Sequence, residues 1–581
     1  MEPSSRATVQ AGRLTPSMPI ELATPGTASS VRIVFLGGLG EIGRNCAWFE
    51  MDGRAVLVDC GLMFPDPEML GVDLVLPDFT YIIENKDRLE GCVLTHGHED
   101  HCGALAYLLR EVSTPIYGSP VTLGLARNRI DEAGVANRTE LIAVADGERR
   151  KIGPFDIEFL PVTHSVPFGF ALAFHTPQGV ILHTGDFKLD LTPVDGRRTD
   201  LTRIGAMAAE EGIRLLLSDS TNAEEPGYSP SERAVGQVLS SLFEANPDKR
   251  IIVACFASHI HRIQEVADAA LATGRYIATL GRSMGRNVAF ARELGLLEVP
   301  EERLIDIEKI GNFEPSQVCV VCTGSQGEPM SALSLMAAGE NKWVKTGEGD
   351  LVVLSSHAIP GNESNVGKVI DGLCRSGAEV VHSGLAPVHA SGHAMRDELK
   401  LLISIAKPQA FIPVHGEYRH LMHHARLATD LGVPRHSVLL AEDGDVVEVS
   451  SGSIEFAGEV PAGYLYVDGI VGDVGPGVLR DRQHLAEEGV IVLVVMIDSR
   501  TGSVITGPEI ITRGWVHAPE AEKLLDEARE VVLSALEDPE LPEPGAADFD
   551  TLKRRARSAL GRFVYERTRR RPMIVPVVME T

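Results

Sequence analysis

Thr95-His96-Gly97-His98-Glu99-Asp100-His101 follows a short apolar run over residues 91–94 and precedes a helical pattern over 102–112. Three histidines and an aspartate packed into a strand-to-helix turn are the donor types that hold cations. His96 and His98, two apart in an extended turn, converge on one ion from one side, while Asp100 and His101, at the helix start, turn toward a second. Imidazole and carboxylate ligands suit Zn²⁺ or Mn²⁺, and a pair of such ions needs about six or seven protein ligands with a bridging carboxylate among them. Four ligands are too few, so the remainder must come from elsewhere in the chain. His164 after Phe159-Leu-Pro-Val-Thr163, Asp186 after Ile181-Leu-His-Thr-Gly185 and His415 after Phe411-Ile-Pro-Val414 each stand where an apolar strand gives way to a loop. A loop histidine taken singly is more often structural; beside the 95–101 cluster these three become candidate ligands.

Working outward, residues 31–219 read as short β-rich runs, over 31–36, 54–59, 91–95, 155–162, 170–175, 180–183 and 214–217, separated by turns. Residues 220–384 alternate helix and strand, which predicts a parallel, Rossmann-like sheet. Residues 385–455 return to a long helix over 395–405, a strand over 410–414 and a hairpin carrying Glu442-Asp-Gly-Asp445, so one domain is expected to be inserted within another. Residues 456–475 read as a linker. Residues 476–581 read as a small α/β domain with a strand over 490–497, a helix over 519–535, an acidic Pro-rich loop and a basic helix. Residues 1–30, a mixture of Ser, Thr, Pro and Ala without a charged start and apolar centre, are expected to be a disordered tail and no secretion signal.

The 581 residues suffice for three or four folding units, and 44% hydrophobic with 23% charged residues describes a globular chain that is neither collagen-like nor wholly disordered. The longest apolar run, residues 489–497, is about half the ~20 residues a membrane helix needs, so no membrane association is expected. Eight cysteines without a dense pattern favour a reducing, cytoplasmic setting. Cys319 and Cys322 form a CxxC inside an apolar run, where i and i+3 of a strand face opposite ways, so they read as core residues and not as a redox or metal pair. The formal net charge of −27 argues against a polyanionic partner, yet nine Lys or Arg stand against one Glu between Lys553 and Arg571. Phe563 and Tyr565 lie inside that stretch, which can be a solvated helix face or a nucleic-acid arm. Gly38-Leu-Gly40-Glu-Ile-Gly43 fits the dinucleotide-binding spacing, but the next apolar strand follows too soon for the helix that fold requires; it reads as a Gly-rich loop beside a site.

The set His96-x-His98-x-Asp100-His101, His164, Asp186 and His415 resembles the two-metal motif of the metallo-β-lactamase superfamily. The inserted domain, with Asp219 in Ser218-Asp-Ser-Thr221, His393 in His389-Ala-Ser-Gly-His393 and His415 in Pro413-Val-His-Gly416, is similar to the β-CASP branch, whose members cleave nucleic acids. Within it, Gly37-Gly-Leu-Gly-Glu-Ile-Gly-Arg-Asn45, Gly281-Arg-Ser-Met284, Cys322-Thr-Gly-Ser-Gln-Gly-Glu-Pro329 and Ile359-Pro-Gly-Asn-Glu363 resemble bacterial ribonuclease J, over about residue 31 to the C-terminus.

The resemblance implies an α/β fold: an αββα metallo-β-lactamase sandwich (residues 31–219 and 385–455), an inserted Rossmann-like β-CASP domain (220–384) and a small C-terminal α/β domain (476–581). It implies two divalent ions, Zn²⁺ or Mn²⁺, with His96, His98 and His164 on one, Asp100, His101 and His415 on the other, and Asp186 bridging. Asp100, His393 and Asp219 become the catalytic candidates, His393 stabilising the leaving oxygen or the phosphorane and Asp219 orienting a ligand histidine. The implied activity is 5′→3′ exonucleolytic and endonucleolytic hydrolysis of single-stranded RNA, preferring a 5′ monophosphate that Gly324, Ser325, His389, Ser391 and Gly392 would receive. A homodimer or homotetramer, RNA-decay partners and a cytoplasmic location go with it. A small-molecule hydrolase of the superfamily would lack the insert and His393, a non-catalytic scaffold would have lost ligands, and a DNA nuclease of the same branch stays open, because contacts to the 2′-OH have no sequence signature.

Overall fold

The computed structural model describes residues 30–580 apart from 329, 359–361, 470, 499–502, 517 and 538–548. The tail expected over 1–30 therefore lies almost wholly outside the described residues, as do most of the acidic Pro-rich loop and parts of the 322–329 and 359–363 motifs.

Two sheets stack face to face. One runs Ile454–Glu459, Asp445–Val449, Val31–Gly37, Cys46–Met51, Arg54–Val58, Leu89–Val93, Ile116–Gly118, Leu141–Ala143. The other runs Ala410–Val414, Ile213–Asp219, Gly179–His183, Gly169–Thr176, Phe155–Val162, Arg149–Ile152. Their inner faces share one apolar core, in which the Phe49 and Phe174 rings stack at 4.5 Å across the gap and Phe155, Phe159 and Phe170 fill the rest. Helices cover both outer faces: Thr80–Glu84, Leu105–Glu111 and Pro120–Glu132 on one, Leu201–Glu210 and Arg396–Ala406 on the other. This is the αββα sandwich expected from the sequence. Strands from residues 31–219 and from residues 410–459 are hydrogen-bonded within the same sheets, so the chain leaves the sandwich and comes back to finish it.

The departing segment forms a third sheet, Leu304–Ile305, Tyr276–Leu280, Val318–Cys322, Arg250–Ala254, Asp350–Leu354, Glu379–His382, with every pair parallel. Its central strands are buried on both faces, as parallel strands under helices must be. Cys319 and Cys322 are buried free thiols that face opposite layers of this sheet.

Two expectations change. The segment 456–475 is no linker: Ile454–Glu459 closes a hairpin with Asp445–Val449, Tyr464–Asp468 pairs with Leu74–Pro77, and Val471–Asp473 pairs with Tyr464–Asp468. Leu465 and Val467 pack on the sandwich's outer core, and that apolar alternation makes the segment a strand. The acidic Glu442-Asp-Gly-Asp445 turn leads into the hairpin, whose own turn lies at residues 450–453. Its Asp443, with Glu41, pairs the fully buried Arg44, which also lies 4.1 Å over the Tyr464 ring. The Gly-rich loop is thereby pinned from two sides.

Residues beyond 475 form a three-stranded sheet, Val504–Arg513, Val490–Ile497, Met573–Glu580, with the helices Ala518–Leu536 and Phe549–Thr568 packed on one face over Ile491, Leu493, Val495 and Ile497. Among the described residues no helix is long and apolar enough to cross a membrane.

Candidate metal centre

The sandwich ends its strands on one side, and the candidate ligands leave from those ends. The strand Leu89–Val93 delivers His96 and His98, the helix Glu99–Cys102 carries Asp100 and His101, and Phe155–Val162, Gly179–His183 and Ala410–Val414 end just before His164, Asp186 and His415. The single helix expected over 102–112 is two, Glu99–Cys102 and Leu105–Glu111, because the ligand turn is itself helical and breaks at Gly103. Close backbone approach holds this turn: a Cβ on Gly61 would stand 1.6 Å from the Asp100 carbonyl oxygen.

Three overlapping groups of donors form, each with its atoms within 4.8 Å of one another: His96, His98, His164 and Asp186; Asp100, His101, Asp186 and His415; and Asp186, Asp219, His393 and His415. In the first, His98 Nδ1 lies 3.0 Å from His96 Nε2 and 3.1 Å from His164 Nε2. In the second, Asp100 Oδ2 is 3.2 Å from His415 Nε2. Asp186 belongs to all three, its Oδ2 standing 3.2 Å from His101 Nε2, 3.6 Å from His96 Nε2 and 3.7 Å from His415 Nε2. Its two oxygens are buried and neither accepts a hydrogen bond. A buried carboxylate without hydrogen bonds costs several kcal/mol unless positive charge compensates it, so the donor set fits divalent metal binding with Asp186 shared among the groups.

Electrostatics agree with that fit. Burial pushes His96 and His164 well down and His98 to about 4, leaving neutral imidazoles with lone pairs for a cation. Burial also opposes charge on His101 and His415, but Asp186 and Asp100 outweigh it for both, raising His101 and lifting His415 to about 10. Asp100 and Asp186 are held low, burial being overcome by His101 and His415. The carboxylates thus make positive charge stable on this side.

Partners behind the ligands fix the rings. Asp59 Oδ2 lies 2.8 Å from His101 Nδ1 and also accepts from the Thr95 hydroxyl. The Gly392 carbonyl accepts from His164 Nδ1 at 2.8 Å, turning Nε2 inward. Asp219 Oδ2 is 2.8 Å from His393 Nδ1, while its Oδ1 accepts from the Thr221 hydroxyl, which in turn accepts from His415 Nδ1 at 2.7 Å. Asp219 therefore holds His393 directly and the candidate ligand His415 through Thr221. Asn45 Nδ2 donates to the Asp100 carbonyl and lies 3.1 Å from His101 Nε2, while the strand Leu39–Gly40 pairs with Gly416–Glu417 beside His415. The Gly-rich loop does flank the site.

Comparison with known proteins identifies this constellation. Residues 39–219 match the metallo-beta-lactamase superfamily, 248–373 the ribonuclease J beta-CASP domain, 379–438 the Zn-dependent metallo-hydrolase RNA specificity domain, and 477–581 the ribonuclease J C-terminal domain. The chain is 43% identical to ribonuclease J of Mycobacterium tuberculosis over 97% of its own length and 100% of the relative, and 41% identical to ribonuclease J 1 of Streptococcus pyogenes over 95% and 98%. Ribonuclease J2 of Bacillus subtilis is 41% identical over 95% of this chain and 99% of that protein. The chain belongs to the ribonuclease J family. A solved Enterococcus faecalis protein of unknown function shares the fold, with a TM-score of 0.51 and 16% identity over 72% of this chain and 100% of that one.

In this ribonuclease J family member the loops suggested for a phosphate divide in two. Ser391 Oγ accepts from Asn222 Nδ2 at 2.8 Å and from the His393 amide at 3.2 Å, so its own proton remains free to donate outward. His389 Nδ1 is buried without a partner, its ring stacked at 6.2 Å on His357. Ser325 is buried, its carbonyl taking the Ser356 hydroxyl, and Gly324 is left-handed with φ 106°. Gly392 plays a different part: it packs against His164, so that a Cβ there would meet the ring at 2.7 Å. Asp59, Asn45 and Thr221 escaped the sequence reading. Asp59 ends an apolar strand just as the ligands do, and that is the signal that would have found it.

Proposed function

We propose that the chain is a metal-dependent ribonuclease that hydrolyses single-stranded RNA from 5′-monophosphate ends in the 5′→3′ direction and also internally, in RNA processing and decay. The observation that carries this is Asp186, a buried carboxylate without hydrogen bonds shared by two ligand groups beside the Asp219–His393 pair.

His96, His98 and His164 would hold one divalent cation and Asp100, His101 and His415 a second, with Asp186 within reach of both; Zn²⁺ or Mn²⁺ suits these donors. Bound there, the pair supplies Lewis acidity that makes water nucleophilic near neutral pH and neutralises phosphoryl charge. His393 manages the proton. Burial opposes its charge, yet Asp219 and Asp186 outweigh burial and raise its pKa, so an imidazolium held at Nδ1 by Asp219 can give its Nε2 proton to the leaving 3′ oxygen. The Gly324-Ser325 loop and the His389-Ala-Ser-Gly392 segment receive the terminal phosphate, with the Ser391 proton and backbone N–H groups as donors. A triphosphate adds charge and bulk to a closed site. With 5′-labelled RNAs, the expected result is rapid release of mononucleotides from monophosphate ends, slower release from triphosphate ends, and loss of both with chelator, regained on adding Mn²⁺ or Zn²⁺. Equal rates on the two ends would remove the phosphate pocket, and chelator-resistant cleavage would remove the metal centre. Single-stranded DNA in the same assay decides against the DNA-directed reading if it is spared.

The protein acts in the cytoplasm with other RNA-decay proteins, as a homodimer or homotetramer. Val575, Val577 and Met579, with Ile505 and Ile511, are exposed on the C-terminal sheet, whose other face is already covered by its helices. A second copy is the natural cover for this apolar patch. Val577→Lys is expected to lower the sedimenting mass while metal content stays constant; an unchanged mass would place subunit contacts elsewhere.

A further inference from the structure

The basic stretch that the sequence left with two readings resolves into two groups once the helix Phe549–Thr568 is in place. Its inner side, Leu552, Ala556, Leu560 and Val564, is buried on the C-terminal sheet. Arg567 pairs with Glu527, an Arg570 guanidinium N–H donates to the Glu487 carbonyl, and the Arg571 amide donates to Glu488, so these three anchor the helix end within its own domain. Arg554, Arg557 and Arg562 point the other way. They are exposed, stand at i, i+3 and i+8, and pair with no carboxylate among the described residues. Tyr565, 37% exposed, continues the same face at i+11. The guanidinium groups of Arg569 and Arg571 lie over its ring at 5.4 and 4.7 Å.

We infer that this outer face of the C-terminal helix is an accessory docking strip for the single-stranded RNA substrate, reached after the chain has left the metal centre. The inference rests on the ribonuclease reading above. From Arg554 to Tyr565 the strip runs about 16 Å along the helix axis, which three phosphates in succession can follow. The Arg554 guanidinium donates to the Asp550 carbonyl and the Thr551 hydroxyl, which leaves its charge uncompensated, and on a protein whose formal net charge is −27 a row of arginines without carboxylate partners among the described residues is a place where long-range repulsion of a polyanion is locally reversed. The Arg–Tyr–Arg arrangement argues for nucleic acid over an acidic protein: planar guanidinium and aromatic faces stack bases, whereas an acidic surface needs charge alone. A strip on the C-terminal unit, outside the sandwich that carries the candidate ligands, would give long substrates a second hold and leave short ones unaffected.

The test uses the full-length protein with Arg554→Gln, Arg557→Gln and Arg562→Gln combined, and with lysine at the same three positions as control. Single-stranded RNA of 30 or more nucleotides is titrated at several salt concentrations, and turnover is measured on a tetranucleotide. Each phosphate contact contributes roughly 0.7 to the slope of log K against log salt for single strands, so the glutamine variant should lose about 2 from the slope and the lysine variant little. Its affinity should fall at low salt and converge on the parent's at high salt, with tetranucleotide turnover unchanged. An unchanged slope overturns the inference. If sedimenting mass falls while the slope holds, the face belongs to a second copy; if only thermal stability falls, it belongs to the acidic segment 538–548. A parent protein that binds no RNA at all would refute the ribonuclease reading itself, an outcome distinct from each of these.

Discussion

Asp186→Asn is expected to reduce RNA hydrolysis by at least about 10³-fold, since losing even one preorganised electrostatic partner of a developing charge costs about 10²–10³ and this residue serves two ligand groups. The substitution keeps the shape and removes the charge. Without it, His96, His101, His164 and His415 would face one another with Asp100 as the remaining carboxylate of the two groups, and the site would hold at most one cation firmly. The fold should survive, because the replaced carboxylate makes no hydrogen bond in the first place. Metal analysis and thermal melting separate the explanations. Adding Mn²⁺ or Zn²⁺ should raise the melting temperature of the parent through preferential binding to the folded state and raise that of the variant much less. An Asp186→Asn protein with parental turnover and parental metal content would show that the shared carboxylate bridges nothing.

The seven candidate ligands offered by the sequence come together in the fold, and they share a physical signature: donors gathered at one end of a sandwich stand in loops that follow apolar strands. His164, Asp186 and His415 are far apart in the chain yet share that local signature. Among their supports Asp59 and Asp219 share it, but Thr221 and Gly392 do not. Thr221 reaches His415 only because the strands Ile213–Asp219 and Ala410–Val414 are parallel neighbours, and the Gly392 carbonyl meets His164 only because the inserted sheet returns the chain at that point. Such contacts are products of topology, so a single threonine or glycine carries no trace of them. The segment 456–475 failed for a related reason. Its Tyr-Leu-Tyr-Val alternation is short and flanked by glycines, and only the open edge of Leu74–Pro77 makes it a strand. The parallel sheet of the insert was readable from its continuous apolar runs, which two-sided burial demands.

The insert's attachment rests on a buried charge that nothing in the sequence marks, and this gives the second large effect. Arg262, 0% exposed, forms a bidentate pair with Glu232 and uses its remaining nitrogen on the Ser355 carbonyl at 2.9 Å and the Val388 carbonyl at 3.0 Å. The Ser355 hydroxyl donates to the same Val388 carbonyl. Val388 directly precedes His389-Ala-Ser-Gly-His393, so one guanidinium ties the insert's first helix, one of its strand ends and the segment that brings His393 to the site. Arg262→Met would leave the Glu232 carboxylate buried without its main partner, and removing one member of such a pair costs about 3–5 kcal/mol. A chain of several domains does not unfold as one unit, so the quantity to follow is the urea midpoint of the insert's own transition. Arg262→Met with Glu232→Leu should recover part of the loss, because an apolar pair avoids the uncompensated charge. Acid should act on the parent in the same direction. Burial raises the Glu232 pKa, but His259 and Arg262 outweigh it and hold the carboxyl well below its ordinary 4.5. The folded protein therefore keeps this group ionised where the unfolded chain has taken up a proton, so its contribution is complete above about pH 4.5 and is lost as pH falls below that value. In the Arg262→Met protein that acid-dependent part should shrink. An unfolding free energy, midpoint times m, within about 0.5 kcal/mol of the parent's, the range of ordinary surface substitutions, would show that Arg262 does not hold the insert in place.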